Sequence, residues 1–308
     1  MSIKILHKGI ADSIQDNGRF GFQHLGVQPN GSMDMLSSTL ANYILQNDLK
    51  SPIIEIHFPS SKFQFLDDYI ICITGANFVP VINEKSIALN TPILVQKNDV
   101  LSMLQPLEGS IAYIGIKGIY NEPKWLNSHA SYNKRLSTDD ILLFSPLNID
   151  LNKILQQINN TTDYELIENT HNYLFDNHNT IRFIPGPAWN DLNESSLQDF
   201  INKPFYILAQ RNRMGYPLNG PKLATNNTNN YLSSAVTSGT LQLLPNGDII
   251  VLMADHQTIG GYANLGQIIL VDLPRFAQMK NGIPFKFSLT NLDTAQTLYR
   301  TMYAPFKY

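Results

Sequence analysis

Three segments of the chain place hydrogen-bonding side chains next to glycines. The first runs Ile14-Gln15-Asp16-Asn17-Gly18-Arg19-Phe20-Gly21-Phe22-Gln23-His24-Leu25-Gly26-Val27 and continues through Pro29-Asn30-Gly31-Ser32-Met33-Asp34. The second is Arg211-Asn212-Arg213-Met214-Gly215-Tyr216-Pro217-Leu218-Asn219-Gly220-Pro221, and the third is Met253-Ala254-Asp255-His256-Gln257-Thr258-Ile259-Gly260-Gly261-Tyr262. Arginine offers a two-pronged fork to a carboxylate or phosphate. A histidine beside an aspartate, as in Asp255-His256, can move a proton near neutral pH. Glycines let backbone N–H groups approach a ligand closely. Arg19, Arg213, Asp255 and His256 are therefore the catalytic candidates, with His24, Tyr216, Gln257, Thr258, Gly260 and Gly261 as the substrate-binding set. The first and third segments also have plain structural readings: Asp16 and Arg19 as a turn-stabilising ion pair, and Gly260-Gly261 as a β-bulge.

Other chemistries are missing from the sequence. There is no phosphate-binding Gly-x-x-x-x-Gly-Lys-Ser/Thr loop, no dinucleotide fingerprint and no Gly-x-Ser-x-Gly elbow. The seven histidines form no His-Glu-x-x-His pair, and one cysteine supplies no ligand set, so no metal is expected. That cysteine, Cys72, sits in the apolar run Tyr69-Ile70-Ile71-Cys72-Ile73-Thr74 and reads as a packed thiol. Met279-Lys280 half-matches a biotin attachment site but lies at an expected helix end, so no covalently bound cofactor is expected.

The elements that must position these segments are mostly strands. At 308 residues the chain suits two domains. Its 15% of charged residues is low against about 25% in a typical domain. A net charge of −3 without a basic run argues against nucleic acid, and no apolar window long enough to span a bilayer argues against the membrane. No signal peptide opens the sequence, so a cytoplasmic protein is the default. Short runs rich in Ile, Val, Phe and Tyr read as strands at Pro52–Phe58, Lys62–Leu66, Tyr69–Thr74, Phe78–Ile82, Val100–Leu104, Ser110–Lys117, Thr180–Ile184, Phe205–Ala209, Thr240–Leu244, Asp248–Met253 and Gln267–Val271. Helices are expected over Met33–Leu45 (capped from Gly31-Ser32), Asp150–Ile158, Glu194–Asn202, Pro274–Met279 and Asn291–Met302. The pattern predicts a mainly β protein. Its N-terminal barrel-like half covers 1-158, a polar Asn-rich connection 159-180, and a C-terminal barrel-like half 181-308. The loop Thr225–Asn230 has no apolar anchor and is expected to be mobile. Arg19-Phe20-Gly21-Phe22 is echoed by Arg213-Met214-Gly215-Tyr216, as coincidence or as the trace of a duplicated barrel.

Taken in order, the motifs resemble the family of the 5-oxoprolinase C subunit, or biotin-dependent carboxyltransferase family, which includes a urea amidolyase domain and KipA-like proteins. The resemblance rests on Gln15-Asp16-x-Gly18-Arg19-x-Gly21 with Leu25-Gly26-Val27 and Met33-Asp34, then Ile73-Thr74-Gly75-Ala76-x-Phe78. It continues with Arg213-Met214-Gly215-Tyr216-x-Leu218-x-Gly220-Pro221, Gly239-Thr240-x-Gln242, Gln257-Thr258-x-Gly260-Gly261-Tyr262, and Asp272-Leu273-Pro274-Arg275 with Ala277-Gln278. It implies two cyclophilin-like β-barrel halves with a few short helices. It also implies work as the C subunit of an ATP-dependent 5-oxoprolinase complex, opening 5-oxoproline to glutamate. The partners it implies are the A and B subunits of that complex, the latter KipI-like and cyclophilin-like. ATP would be used by the complex. The alternatives it implies are a carboxyltransferase acting on a urea-like substrate with free or carrier-borne biotin, and a non-catalytic KipA-like regulatory partner.

The chain departs from the family pattern at several positions. Pro217 and His256 stand where relatives carry Arg, Ser234-Ala235 where Glu-Gly is common, and Ala263-Asn264 where Pro-Lys is common. Asn127-Ser128-His129-Ala130-Ser131 replaces a Gly-Ser-Arg-Ser/Asp-Thr run, and the glycine-rich loop expected after it is shortened to Tyr132-Asn133-Lys134-Arg135. Lost cations imply a different substrate, compensation by Arg19, Arg211 and Arg213, or reduced activity. Arg19, His24, Arg213, Tyr216, Asp255, His256, Gln257 and Gly261 are expected to share one cleft.

Overall fold

The computed structural model describes residues 2–131, 134–145, 150–176, 179–227 and 231–306. Residues 132–133 of the shortened loop and 228–230 of the Thr225–Asn230 loop lie outside the described residues. The chain divides into two compact units. One comprises Met1–Arg19 with Asn30–Phe175, and the other Phe20–Pro29 with Asp176–Lys307.

The first unit holds two antiparallel sheets. One runs, in spatial order, Ile119–Tyr120, Ile141–Ser145, Ser2–His7, Lys62–Phe65, Val100–Met103, Pro80–Ile82 and Lys85–Ser86. The other runs Ser13–Gln15, Ile53–His57, Glu108–Ile116, Tyr69–Asn77 and Ile93–Val95. Ile3, Ile5, Phe63, Phe65, Leu101 and Phe144 of the first sheet share a core with Ile54, Ile56, Tyr69, Ile71, Ile73 and Ile114 of the second, making a barrel-like sandwich. The strand Tyr69–Asn77 is buried almost throughout. Tyr69, Ile71 and Ile73 face the shared core, and the alternate set Ile70, Cys72 and Thr74 faces the helix Met35–Ile44, to whose Ser37 carbonyl the Thr74 hydroxyl donates at 2.7 Å. This two-sided burial explains an unbroken apolar run. Burial also pushes the Cys72 thiol far up, as suits a packed side chain.

The helix Met35–Ile44 starts later than Gly31-Ser32 suggested. Its cap is Asp34, whose carboxylate accepts from Leu36 N (3.0 Å), Ser37 N (2.9 Å) and Ser37 Oγ (2.6 Å). The helix expected at Asp150–Ile158 runs Leu151–Thr161, and the expected polar connection holds a further helix, Tyr164–Phe175; the two bury Ile158, Ile167 and Leu174.

In the second unit the strands close on themselves. The order is Thr180–Pro185, Ala263–Ile268, Thr240–Leu243, Ile249–Leu252, Gly215–Asn219, Phe205–Ile207 and Pro284–Leu289, with the last pairing in parallel to the first. Closure leaves none of these strands with an unpaired edge. Phe183, Phe205, Phe285 and Phe287 fill the interior, and Phe200 of the helix Glu194–Asn202 stacks on Phe287 at 5.1 Å. The strand expected at Gln267–Val271 lies earlier, at Ala263–Ile268. Among the described residues no helix is long and apolar enough to cross a membrane, and no cluster of His, Cys, Asp or Glu side chains could hold a metal ion.

Candidate functional site

Arg19 belongs to the first unit, and every other candidate site residue belongs to the second. Arg19 is only 2% exposed. Its guanidinium donates to the Asn30 side-chain oxygen and to the Ala130 carbonyl, and lies 4.7 Å from the centre of the Trp125 ring. Neighbouring Asp16 accepts from Gly18 N (2.8 Å), Ser128 Oγ (2.7 Å) and His129 N (2.7 Å). Gly31 is required where this segment crosses itself: its φ is +93°, and a Cβ there would sit 2.9 Å from Gly18 N. Arg19 and Asp16 thus act as interior ties that hold the loop 125–131 against the first segment. This geometry argues against Arg19 as an open anion fork.

The second and third segments meet through strand register. Gly215 pairs with Leu252, and the ladder continues past the strand ends through Met253 N to Met214 O (3.0 Å) and Asp255 N to Arg213 O (2.8 Å). The hairpin tip is tightened by Asn212, which accepts from Met214 N at 2.8 Å. Arg213 and Asp255 therefore face each other. Arg213 Nε donates to Asp255 Oδ2 at 2.9 Å and Nη2 to Oδ1 at 2.8 Å, both side chains being largely buried. Both carboxylate oxygens are occupied by this fork, which fits Asp255 poorly to the role of acid or base. The pair braces the loop 253–257.

His256, next on that loop, is 3% exposed. Its Nδ1 lies 2.6 Å from the Gln257 carbonyl. A carbonyl only accepts, so the proton of the neutral ring is on Nδ1 and Nε2 is the acceptor nitrogen. Burial lowers the His256 pKa below its ordinary value of 6.5, against smaller opposing effects of the Gln257 carbonyl and Asp255. Burial thus favours the neutral ring, whose Nε2 carries the free lone pair.

Gln257 Nε2 donates to Gln242 Oε1 at 3.3 Å. Thr258 contributes its carbonyl to Val236 N at 3.2 Å, and Gly260 pairs with Ser234 in a short two-stranded ribbon. A Cβ on Gly260 would lie 2.3 Å from Gln242 Nε2 and 3.2 Å from Val236 Cγ1, so packing keeps this position glycine. Gly261 is exposed, with Ser233 Oγ its near neighbour. Tyr216 is an interior residue instead: its hydroxyl donates to the Ala277 carbonyl at 3.3 Å, its ring packs on Phe276, and Arg211 lies over it at 5.2 Å. His24 lies on the short helical turn Gln23–Leu25, none of whose residues is buried. The same stretch is tied to the brace by Gln28, whose Nε2 donates to the Asp255 carbonyl at 2.8 Å. Sequence reasoning missed Gln28 and Gln242 as site residues. Gln242 stands in one of the motifs, but nothing in the sequence marks Gln28.

The model of the carboxyltransferase domain, subdomain A and B, family matches residues 25–289. The chain belongs to this family. Among its relatives, the C subunit of the Escherichia coli 5-oxoprolinase is 28% identical over 95% of this chain and 93% of that protein. The urea amidolyase of Saccharomyces cerevisiae is 26% identical over 96% of this chain but only 17% of its own length. The crystal structure of the Kluyveromyces lactis urea amidolyase superposes with a TM-score of 0.87 at 23% identity, covering 99% of this chain. This chain spans only 20% of that larger one, and the likeness shows the carboxyltransferase fold.

Proposed function

We propose that this chain is the C subunit of an ATP-dependent 5-oxoprolinase, a cyclic-amide hydrolase of the cytoplasm that opens 5-oxoproline to glutamate together with the A and B subunits. The observation that carries this reading is the end-to-end match to a protein of that name, where the urea amidolyases match only as one segment of a much longer chain. The site supports it. A lactam is a stable amide, so its opening needs donors fixed in advance around the carbonyl oxygen and a group that takes or returns a proton. The backbone at Gly260-Gly261 and the Gln257 side chain, which follow the braced loop in sequence, are the candidate donors. Neutral His256, with Nδ1 tied to the Gln257 carbonyl, is the proton acceptor through Nε2. Arg213 and Asp255 hold the loop that carries both. ATP would be handled by the partner subunits, since the sequence carries no phosphate loop.

A second reading is favoured by the family itself: transfer of a carboxyl group to a urea-like substrate, with biotin supplied on another chain. The ureido ring of biotin would meet the same Gln257 and Gly260-Gly261 groups. Reconstitution with the two other 5-oxoprolinase subunits separates the readings. ATP-dependent glutamate release from 5-oxoproline is the expected result. Turnover that instead requires a biotinylated partner and urea would transfer the assignment to the second reading. A stable complex without either activity would assign the non-catalytic role.

A further inference from the structure

We propose that Gln242 is a positioning residue that holds the Gln257 carboxamide as a reader of cis-amides, the group in which N–H and C=O lie on the same edge, as in a lactam or a ureido ring. The proposal rests on the functional reading above and names the part of the site that recognises the substrate.

Gln242 lies on the barrel strand Thr240–Leu243, next to the shift in register between Leu241 and Gln242 against the strand Ala263–Ile268. It is 1% exposed, and its Nε2 is buried without a hydrogen-bond partner. A buried donor in this condition is destabilising, and its presence calls for an explanation. Leucine would fill the same space without that cost. What glutamine adds is Oε1, which accepts from Gln257 Nε2. The contact fixes which way the Gln257 amide faces. Gln242 in turn is held by Gly260, the position where any side chain would run into its Nε2. Barrel strand, glycine ribbon and Gln257 thus form one continuous support.

Gln257 is only partly buried. With one N–H given to Gln242, its amide keeps one donor and one acceptor. These pair with a cis-amide by two antiparallel hydrogen bonds: ligand N–H to Oε1, and Nε2 to ligand C=O. A carboxylate or an ester lacks the donor, and an N-alkylated lactam has lost it. A site built around a substrate N–H discriminates strongly against an analogue without one, because its own acceptor is then left unmatched.

The test uses the reconstituted complex with 5-oxoproline and 1-methyl-5-oxoproline, comparing the unaltered chain with Gln242→Leu and Gln257→Ala. The unaltered complex should prefer the N–H substrate by roughly a hundredfold in kcat/KM. In both variants KM for 5-oxoproline should rise about tenfold, the equivalent of one hydrogen bond, and the preference over the methylated compound should shrink to about that same factor or less. A merely structural defect would slow both substrates alike and leave the preference intact. An intact preference in both variants overturns the proposal. Should the complex turn over neither compound, calorimetric titration of the intact chain with 5-oxoproline, biotin and their N-methyl forms separates the two ideas. Binding that needs the N–H and is lost in both variants supports the amide reader while the 5-oxoprolinase reading fails. An unaltered chain that binds neither the lactam nor the ureide overturns the reader as well.

Discussion

Arg19 and Arg213 stand at the head of two matching four-residue runs, and the fold uses them differently. Arg19 is sealed inside the first unit, its fork joining Asn30 to the Ala130 carbonyl beneath Trp125. Arg213 stands at a hairpin tip and grips a carboxylate on the neighbouring loop. The glycines differ as well. Gly21 has a φ of +93° in a turn, whereas Gly215 begins a barrel strand. A local pattern of Arg, a bulky apolar residue, Gly and an aromatic residue therefore specifies neither role. What decides is whether the next residues turn or extend.

If this contrast is right, Arg19→Ala should produce the largest effect on the fold. It leaves two buried acceptors without their donor, and each hydrogen bond to a charged group is worth about 1.5–3 kcal/mol, so a loss of about 3 kcal/mol or more is expected. Denaturant unfolding measures it. Arg19→Lys should not restore stability, because one ammonium cannot serve both oxygens in the planar geometry of the fork. Arg213→Ala should show the opposite balance. Turnover of the reconstituted complex should fall by about a hundredfold, since the loop bearing His256 loses its brace, while stability drops by about 1.5 kcal/mol, less than for Arg19→Ala because both members of the pair keep some contact with solvent. Equal losses of stability in the two variants would erase the distinction.

Gly260→Ala should give a smaller effect. Its new methyl group meets the end of the Gln242 side chain, and moving that amide should weaken ligand binding more than folding. A differential scanning trace beside a ligand titration separates the two. The smallest expected effect belongs to His256. Burial lowers its pKa in the folded chain below 6.5, so between the two values the unfolded chain binds more protons and stability rises with pH. Below that window the contribution is lost. Unfolding measured from about pH 5 to 7 should show this slope, and His256→Gln should flatten it.

Much of the architecture was legible because apolar runs such as Ile53–His57 and Ile249–Leu252 are bounded by polar turns. The helix Tyr164–Phe175 was not. It buries only Ile167, Thr170 and Leu174, a stripe too thin to stand out in an Asn-rich stretch. The strand Ala263–Ile268 is displaced in a reading of the sequence because the apolar run Ile268-Ile269-Leu270-Val271 is stronger than Asn264-Leu265-Gly266, yet the run leaves the barrel in the turn after Ile269, where Asp272 N bonds Ile269 O at 2.9 Å. In the site, residue types were legible and partners were not. Arg213 and Asp255 meet across 42 positions only because two barrel strands align their tips. Tyr216 reads as a ligand contact, but its place in the Gly215–Asn219 strand turns the ring into the core.

The parallel pairing of Thr180–Pro185 with Pro284–Leu289 has a consequence for how the second unit is made. Its first strand leaves the ribosome long before the strand that closes it. Until Pro284–Leu289 emerges, both Thr180–Pro185 and Phe205–Ile207 present bare edges, and contacts so distant in sequence are slow to form. A nascent chain stalled before Pro284 would therefore hold an open, adhesive sheet, although the strands that align Arg213 with Asp255 would already have emerged.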